Sequence, residues 1–229
     1  MEILSFSKDD LIDAIENEAK IKVDGFIESA IEEAQEVHSG VKREDGVSPF
    51  LETHIFPVTI DVIRHYKSAN KFLTTLQIAS SLLHDVMEDN ERIVDVYASK
   101  SYEFDAYFRH RFGGYVYDVV TKLKVKPLDD YRDFDEKIRE SERFKDYCAR
   151  LLKSDYDVKV IKLTDRINNM TFIANNPGHE KITRYLKEAE DFYLTFATIS
   201  PRMDDFYTRL RKAYDNLRKI SISKSGEIV

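Results

Sequence analysis

The sequence predicts an all-α protein, and three observations carry this prediction. The chain has 229 residues but only 7 glycines and 5 prolines. Neither residue type occurs strictly between Pro57 and Gly113, between Pro127 and Pro177, or in residues 202–225. Antiparallel sheets need turn residues about every 8–12 positions, so uninterrupted stretches of this length favour helices. Apolar residues also recur at the helical period inside these stretches.

The predicted breaks between helices follow the glycines and prolines that remain. They lie at residues 38–49 (HSGVKREDGVSP), 112–114 (FGG), 125–130 (VKPLDD) and 175–178 (NNPG). Pro57 is the predicted opening of a helix, because proline is favoured in the first helical turn. The chain after about residue 202 is predicted to form a C-terminal helix that ends in a frayed tail, SISKSGEIV.

Two of the stretches have apolar residues at the spacing of a helix that packs against a core. The first stripe contains Leu76, Ile78, Ala79, Leu82, Leu83 and Val86. The second contains Leu151, Leu152, Val158, Val160 and Ile161. We therefore expect helices over both segments, each with one face buried.

Length and charge limit the class of protein. With 42% hydrophobic residues the chain can bury a core, and we expect a single domain over residues 1–229 in which the C-terminal helix and tail occupy about 202–229. The formal net charge of -7 gives no general attraction to nucleic acid or to an anionic membrane. We expect neither of them as a partner.

Two further features predict a cytoplasmic protein. The first residues, MEILSFSKDDLIDAIENEAK, carry acids where a secretion signal needs basic residues. No stretch approaches the roughly 18 apolar residues of a membrane span. Cys148 is the only cysteine, which excludes an internal disulfide.

The segment SSLLHDVMEDN at residues 80–90 combines an apolar run with four ionisable side chains. In a helix, His84 and Asp85 would be about 100° apart, and Glu88 and Asp89 would each lie one turn further along the same edge. The leucines hold this segment against a core. Carboxylates beside a core are costly unless a cation or hydrogen bonds compensate them, so the segment predicts a metal site.

One helical turn offers too few ligands for a metal, so other segments must contribute. His54 precedes Pro57 in FLETHIFPV, and Asp165 ends an apolar run in VKVIKLTDRINNM. Together with His84 and Asp85 they would supply two imidazoles and two carboxylates. This donor set suits Mn²⁺, Fe²⁺ or Zn²⁺ better than calcium.

Several separate motifs, in order, resemble the HD-domain phosphohydrolases, and among them the hydrolase domain of the RelA/SpoT alarmone enzymes and their short metazoan homologues. The segment AQEVHSGVKREDG is similar to the opening motif of that domain, and LLHDVMEDN is similar to its LLHDVVEDT type of motif. Further along, FRHRFGGYVYDVVTKL, VIKLTDRINNM and EAEDFYLTFATI resemble its later motifs. The resemblance covers about residues 30–200 and implies the helical bundle of an HD domain.

The resemblance also implies roles for individual residues. His54, His84, Asp85 and Asp165 would bind the metal, usually manganese, although another divalent transition metal is possible. Glu88 and Asp89 would orient or deprotonate the attacking water, and Asn169 would contact the substrate. The implied reaction is hydrolysis of the 3′-pyrophosphate of the small-molecule nucleotides ppGpp and pppGpp, which releases pyrophosphate.

Basic residues supply the remaining candidates for substrate binding. The loop that contacts the nucleotide in the family corresponds here to KREDGVSPFLETH, in which Lys42 and Arg43 are retained but Glu44 stands where the family has a lysine. Two more residues separate Gly46 from the histidine than in the family pattern. Lys122 and Arg166 are further candidates for contacts with phosphate groups.

Three functions from different classes remain open at this point. The first is a metal-dependent alarmone pyrophosphohydrolase. The second is an HD phosphohydrolase with another nucleotide substrate, which the altered loop at Glu44 favours. The third is a nucleotide-binding sensor without catalytic activity, against which the retained Glu-Asp pair argues.

Overall fold

The computed structural model describes residues 5–88, 101–176, 180–200 and 202–225. The predicted all-α class is confirmed, because the regular elements of these residues are helices and none is a strand. The sole β-type pairing among them is an isolated antiparallel bridge between Lys42 and Pro49. The predicted helical bundle is therefore built without a sheet in the part of the chain described.

Each predicted break coincides with the end of a helix or, at Gly113, with a kink, but the breaks at residues 19–24, 69–74 and 154–155 were not predicted. The α-helices are α1 (Lys8–Asp13), α2 (Gly25–Val37), α3 (Phe56–Ser68), α4 (Thr75–Leu82), α5 (Ser101–Leu123), α6 (Arg139–Lys153), α7 (Tyr156–Ala174), α8 (Lys181–Glu188), α9 (Leu194–Phe196) and α10 (Asp204–Ser225). Three π-helical turns accompany them, at Ala14–Glu18, Leu51–Ile55 and Ala189–Tyr193, together with a 3₁₀ turn at Leu128–Tyr131.

The chain divides into two compact units. The first comprises residues 1–22, 40–73 and 160–229, and the second comprises residues 23–39 and 74–159. Helix α7 belongs to the first unit from Val160 onward. The expectation of a single domain over residues 1–229 stays a prediction.

The first unit is built around α3. Pro57 lies in the first turn of this helix, as predicted, directly after the π-helical turn Leu51–Ile55. The helix packs against the π-helical turns at Ala14–Glu18 and Leu51–Ile55, and α10 packs against α8. Fully buried aromatic side chains, among them Tyr193 and Phe206, fill the core of this unit.

The second unit is organised by α4, which packs against α2 and α5. Asp24 caps α2 by accepting hydrogen bonds from the N–H groups of Phe26 and Ile27. Thr74 and Gln77 form a capping box at the start of α4. These caps satisfy N–H groups in the first turn of each helix and thereby fix where the helix begins.

Gly113 produces the break that the sequence predicts inside the FGG segment. Its φ of 81° and ψ of 165° are not helical, so α5 consists of two helical segments joined at a kink. Residues other than glycine rarely adopt this backbone conformation. Phe108 and Phe112, with ring centroids 4.9 Å apart, pack on the N-terminal side of the break.

Helix α4 is shorter than the apolar stripe predicts. The stripe continues to Val86, but the helix ends at Leu82, and residues 83–88 form turns. In these turns the N–H groups of Val86 and Glu88 reach back only three residues, to the carbonyls of Leu83 and Asp85. The expectation that His84 and Asp85 lie within a continuous helix is wrong. Leu76 and Leu152, two members of the predicted stripes, are exposed rather than buried.

Helices capable of crossing a membrane are absent from the described residues, since none combines sufficient length with sufficient apolar character.

Candidate functional site

His54 lies in the short π-helical turn Leu51–Ile55, directly before α3. Its side chain is buried, with 1% exposure. Its Nδ1 atom is 2.7 Å from Oδ1 of Asn168 on α7. Its Nε2 atom faces Oδ1 of Asp165, also on α7, at 3.5 Å. The structure therefore brings together two of the predicted ligands within the first unit.

The surroundings of Asn168 determine which nitrogen of His54 carries a proton. Oδ1 of Asn168 also accepts a hydrogen bond from Nη1 of Arg43 at 3.1 Å. A guanidinium can only donate, so the asparagine atom it faces must be the carbonyl oxygen. That oxygen can accept but not donate, and Nδ1 of His54 must hold the hydrogen. In the neutral imidazole, Nε2 then carries a lone pair directed at Asp165.

Asp165 is itself held by two neighbours on α7. Its Oδ1 accepts a hydrogen bond from Asn169, and its Oδ2 lies 2.7 Å from the ammonium group of Lys162. The carboxylate is buried, with 4% exposure of the residue. Burial of a carboxylate is costly without a nearby cation, and Lys162 supplies part of that compensation.

His84 has the same arrangement in the second unit, with different partners. Its Nδ1 atom is 2.8 Å from the backbone carbonyl of Ser81, which can only accept, so Nδ1 again holds the hydrogen. Its Nε2 atom lies 3.3 Å from Oδ2 of Asp85. His84 is 3% exposed. Both residues lie in the turns that follow α4 rather than in a helix.

Each histidine therefore presents Nε2 to a carboxylate oxygen while Nδ1–H is fixed by an oxygen of the protein. Two lone-pair-bearing atoms in contact repel each other unless a proton or a cation lies between them. Each pair can hold a shared proton as an imidazolium-carboxylate pair, or it can offer both atoms to a metal. Histidine ligands of metals characteristically donate their second N–H in this way.

Arg43 is buried, with 3% exposure, and its guanidinium is engaged on several sides. Nη2 donates to Oδ1 of Asn169 at 2.9 Å, and the group lies 4.1 Å from the ring centroid of Phe172. Arg43 thus orients both asparagines of α7. Lys42, its neighbour, is exposed. The predicted contacts of Lys42, Arg43 and Asn169 with a substrate stay predictions.

Glu44, the departure from the family pattern, lies in a cluster of charges. One carboxylate oxygen is 2.7 Å from Nζ of Lys181 and the other is 3.4 Å from Nε of Arg43. Burial alone would raise the pKa of Glu44, but the hydrogen bond from Lys181 and the charge of Arg43 outweigh it and lower the pKa to about 2. The acid is therefore ionised and compensated.

Glu88, one of the two predicted catalytic acids, is exposed at the end of the described turn. Its Oε1 accepts a hydrogen bond from the backbone N–H of Val125 at 2.7 Å, which fixes the side chain. Asp89, the other acid, lies outside the described residues. The catalytic role of both residues stays a prediction.

The remaining two candidates have partners in the protein. Lys122 forms an ion pair with Asp155 at 3.2 Å. Arg166 is buried between the rings of Tyr185 and Tyr193, and its Nη1 lies 2.8 Å from Oε2 of Glu188. Burial acts to lower the pKa of Arg166, but Tyr193 and Glu188 outweigh it and raise the pKa. Arg166 is thus anchored within its unit, and phosphate binding by either residue stays a prediction.

Sequence reasoning missed several residues that shape these pairs. Asn168 and Lys162 contact the predicted ligands directly, and Lys181 neutralises Glu44. The one available signal was position on a helix, since Lys162 and Asn168 lie three residues on either side of Asp165 and share its edge of α7. His84 and Glu88 are held by backbone groups, and such partners cannot be recognised from residue types.

Comparison of the chain with protein-family models and with curated proteins gives no match to either.

Proposed function

We propose that the protein is a metal-dependent phosphohydrolase in which His54, His84, Asp85 and Asp165 bind one divalent cation, with Mn²⁺ as the first candidate. The observation that carries the proposal is the matching state of the two histidines. Both are buried, both have Nδ1–H donated to a protein oxygen, and both direct Nε2 at an aspartate.

The donor set fits a borderline divalent metal. Imidazole nitrogens and carboxylate oxygens together suit Mn²⁺, Fe²⁺ and Zn²⁺. The fixed Nδ1–H groups also favour ligation, because they set the tautomer in advance and so reduce the reorganisation needed on binding. A cation at this donor set would relieve the contact between each Nε2 atom and its facing carboxylate.

The proposed reaction is hydrolysis of a phosphoric ester or anhydride. A divalent metal supplies Lewis acidity at such a site, lowering the pKa of a water molecule and offsetting charge on the phosphoryl oxygens. Glu88 would accept the proton of that water, and the N–H of Val125 holds its side chain in place through Oε1. Asp89 would act with it.

The proposed substrate is the alarmone ppGpp, or pppGpp, whose 3′-pyrophosphate would be released. This part of the proposal rests on the order of the motifs LLHDVMEDN, FGGYVYDVVTKL and VIKLTDRINNM. Such a substrate is a small cytoplasmic nucleotide, in keeping with the cytoplasmic location that we propose for the protein.

A second candidate function is an HD phosphohydrolase that acts on another nucleotide phosphate. The observation that favours it is the state of Arg43, whose guanidinium is buried and donates to Asn168 and Asn169 rather than projecting from the loop. In this chain the guanidinium of Arg43 binds Asn168 and Asn169, and the next residue is the ionised Glu44. This loop would therefore contact a substrate differently from the family's loop, which has an arginine followed by a lysine.

The test combines metal binding with turnover. Metal-stripped protein is first titrated with Mn²⁺, and binding is followed from the electron paramagnetic resonance signal of the free ion. The loaded protein is then given ppGpp, GTP, NADPH or dGTP, and products are separated by chromatography. His84→Ala and His54→Ala are the variants, and His110→Ala, at an exposed histidine of α5, is the matched control.

We expect one Mn²⁺ per chain, lost in both ligand variants and kept in the control, together with release of pyrophosphate from ppGpp. Cleavage of a different nucleotide would establish the second candidate function. Binding of ppGpp without turnover would point to the sensor. Failure of the protein to bind Mn²⁺ stoichiometrically would refute the proposed metal site, and with it the proposed hydrolase.

A further inference from the structure

A cavity of about 400 Å³ lies within the first unit and is separate from the two histidine-aspartate pairs. Its wall is formed by one N-terminal side chain and by helices α3, α7 and α10. The lining residues are Phe6, Pro57, Asp61, Arg64, Thr164, Ile167, Asn168, Thr171, Arg209 and Lys212. This volume is within the range of about 300–1,000 Å³ that is typical of small-molecule sites.

The position of the lining residues on α7 separates the cavity from the candidate metal ligand on the same helix. Thr164, Ile167, Asn168 and Thr171 have the spacing of one helical face. At about 100° per residue, the middle of that face is roughly 110° away from Asp165 around the helix. The cavity therefore lies mainly on another face of α7 than Asp165, although Asn168, which contacts His54, is common to both.

The cavity has an apolar wall and a cationic rim. Phe6, Pro57 and Ile167 supply apolar surface. The charged lining residues are three cations and one carboxylate, although the whole protein carries a net charge of -7. Cations that line a cavity attract anionic ligands to the extent that the protein's own carboxylates leave them uncompensated.

Two of the three cations are already compensated. Arg64 makes a two-pronged ion pair with Glu18, with its closest contact at 2.7 Å, and Arg209 pairs with Asp61. Lys212 is exposed and makes no ion pair with any other residue in the described parts of the chain. Its charge is thus the part of the rim that remains available to a ligand.

We infer that this cavity binds a small amphiphilic anion, with an apolar body against Phe6, Pro57 and Ile167 and a single anionic head group at Lys212. Carboxylates and phosphate monoesters share this chemistry. The hydroxyl of Thr171 lies on the same wall and offers a hydrogen bond to such a head group or to the atoms next to it.

The test uses the full chain and the fluorescent probe 8-anilinonaphthalene-1-sulfonate, which joins an aromatic body to one anionic group. Its uncharged analogue N-phenyl-1-naphthylamine is titrated in parallel. Lys212→Met removes the available charge, and Arg218→Met removes one charge from an exposed position on the same helix outside the cavity. Thr171→Phe fills the cavity from its wall.

We expect saturable binding of the sulfonate at one site, weakened about tenfold by Lys212→Met and unchanged by Arg218→Met. Thr171→Phe should abolish it while circular dichroism confirms the fold. Equal affinity for the uncharged analogue, or sulfonate binding that survives Thr171→Phe, would overturn the inference.

Displacement of the probe then distinguishes the two kinds of head group. Octanoate and octyl phosphate are the competitors, and octanol is the uncharged control. Displacement by either anion supports the site and identifies the preferred head group. Displacement by octanol alone would overturn it.

Discussion

Replacing Asn168 with leucine removes the acceptor that holds the Nδ1 hydrogen of His54. The hydrogen bond is 2.7 Å long and His54 is 1% exposed, so water has no ready access to replace the acceptor. The imidazole is then free to change tautomer and to turn away from Asp165. Loss of such a partner lowers metal affinity by about ten- to a hundredfold, or roughly 1.4 to 2.7 kcal/mol.

The structure provides a control for this prediction at the other histidine. His84 is held by the backbone carbonyl of Ser81, which a Ser81→Ala substitution leaves in place. Mn²⁺ affinity of stripped protein, measured by paramagnetic resonance at constant pH, should fall in Asn168→Leu and stay unchanged in Ser81→Ala. Asn168→Asp keeps an acceptor and should retain most of the affinity.

One result would refute the reasoning about tautomers while leaving the metal site intact. It is wild-type Mn²⁺ affinity in a folded Asn168→Leu protein. Nδ1 of His54 would then not need its partner, and the parallel between the two histidines would carry no functional meaning. Thermal unfolding of each variant shows whether the comparison is between folded proteins, since the substitution also removes an acceptor from the buried Arg43.

Three further predictions concern stability. Because the pKa of Glu44 is lowered to about 2 from 4.5, its ionised form stabilises the fold above about pH 5, and this contribution is lost as the pH falls towards 2. Urea unfolding should therefore show a steeper acid loss in the wild type than in Glu44→Gln, and Lys181→Met should raise the pKa of Glu44 in a carboxyl NMR titration; identical acid profiles would contradict this. Burial lowers the pKa of His65 from 6.5 to about 4, so the unfolded chain takes up a proton first as the pH falls and stability declines between these values. His65→Leu should lack that decline, which amounts to about 3 kcal/mol at most, and an unchanged pH dependence would argue against a neutral buried imidazole. Gly113→Ala should cost about 1–3 kcal/mol through its φ of 81° alone, since an added Cβ meets nothing within 4 Å. Gly114→Ala, whose added Cβ would lie 3.9 Å from Arg109, should cost nothing in the same denaturation assay, and equal losses would contradict the backbone explanation.

The breaks at glycine and proline could be predicted because these residues act locally, whereas the breaks at residues 19–24, 69–74 and 154–155 contain neither residue type and were missed. Pro57 and Gly113 restrict or extend the accessible backbone angles by themselves, whatever the chain does elsewhere. The end of α4 could not be predicted in this way. Leu83 ends the helix with φ of -102° and ψ of 8°, and no residue type in LLHDVMED requires that conformation.

The residues of the two histidine-aspartate contacts stand out in the sequence because histidine and aspartate are rarely found beside apolar runs without a chemical reason, and their role as metal ligands stays a prediction. What surrounds them depends on residues far away in the chain. Arg166 was expected to meet phosphate, but Tyr185, Glu188 and Tyr193, about twenty residues later, enclose it. Asn168 gave no signal beyond its helical position, because its partners Arg43 and His54 are more than 100 residues away.

Asn168 belongs both to the wall of the cavity and to the hydrogen-bonded pair with His54. A ligand in the cavity that pulls on this amide would alter how well His54 receives a metal. Thermodynamic linkage then requires reciprocity: the metal would change the affinity of the cavity for its ligand by the same factor. A single side chain would thus let the concentration of an amphiphilic anion set the metal occupancy of the protein.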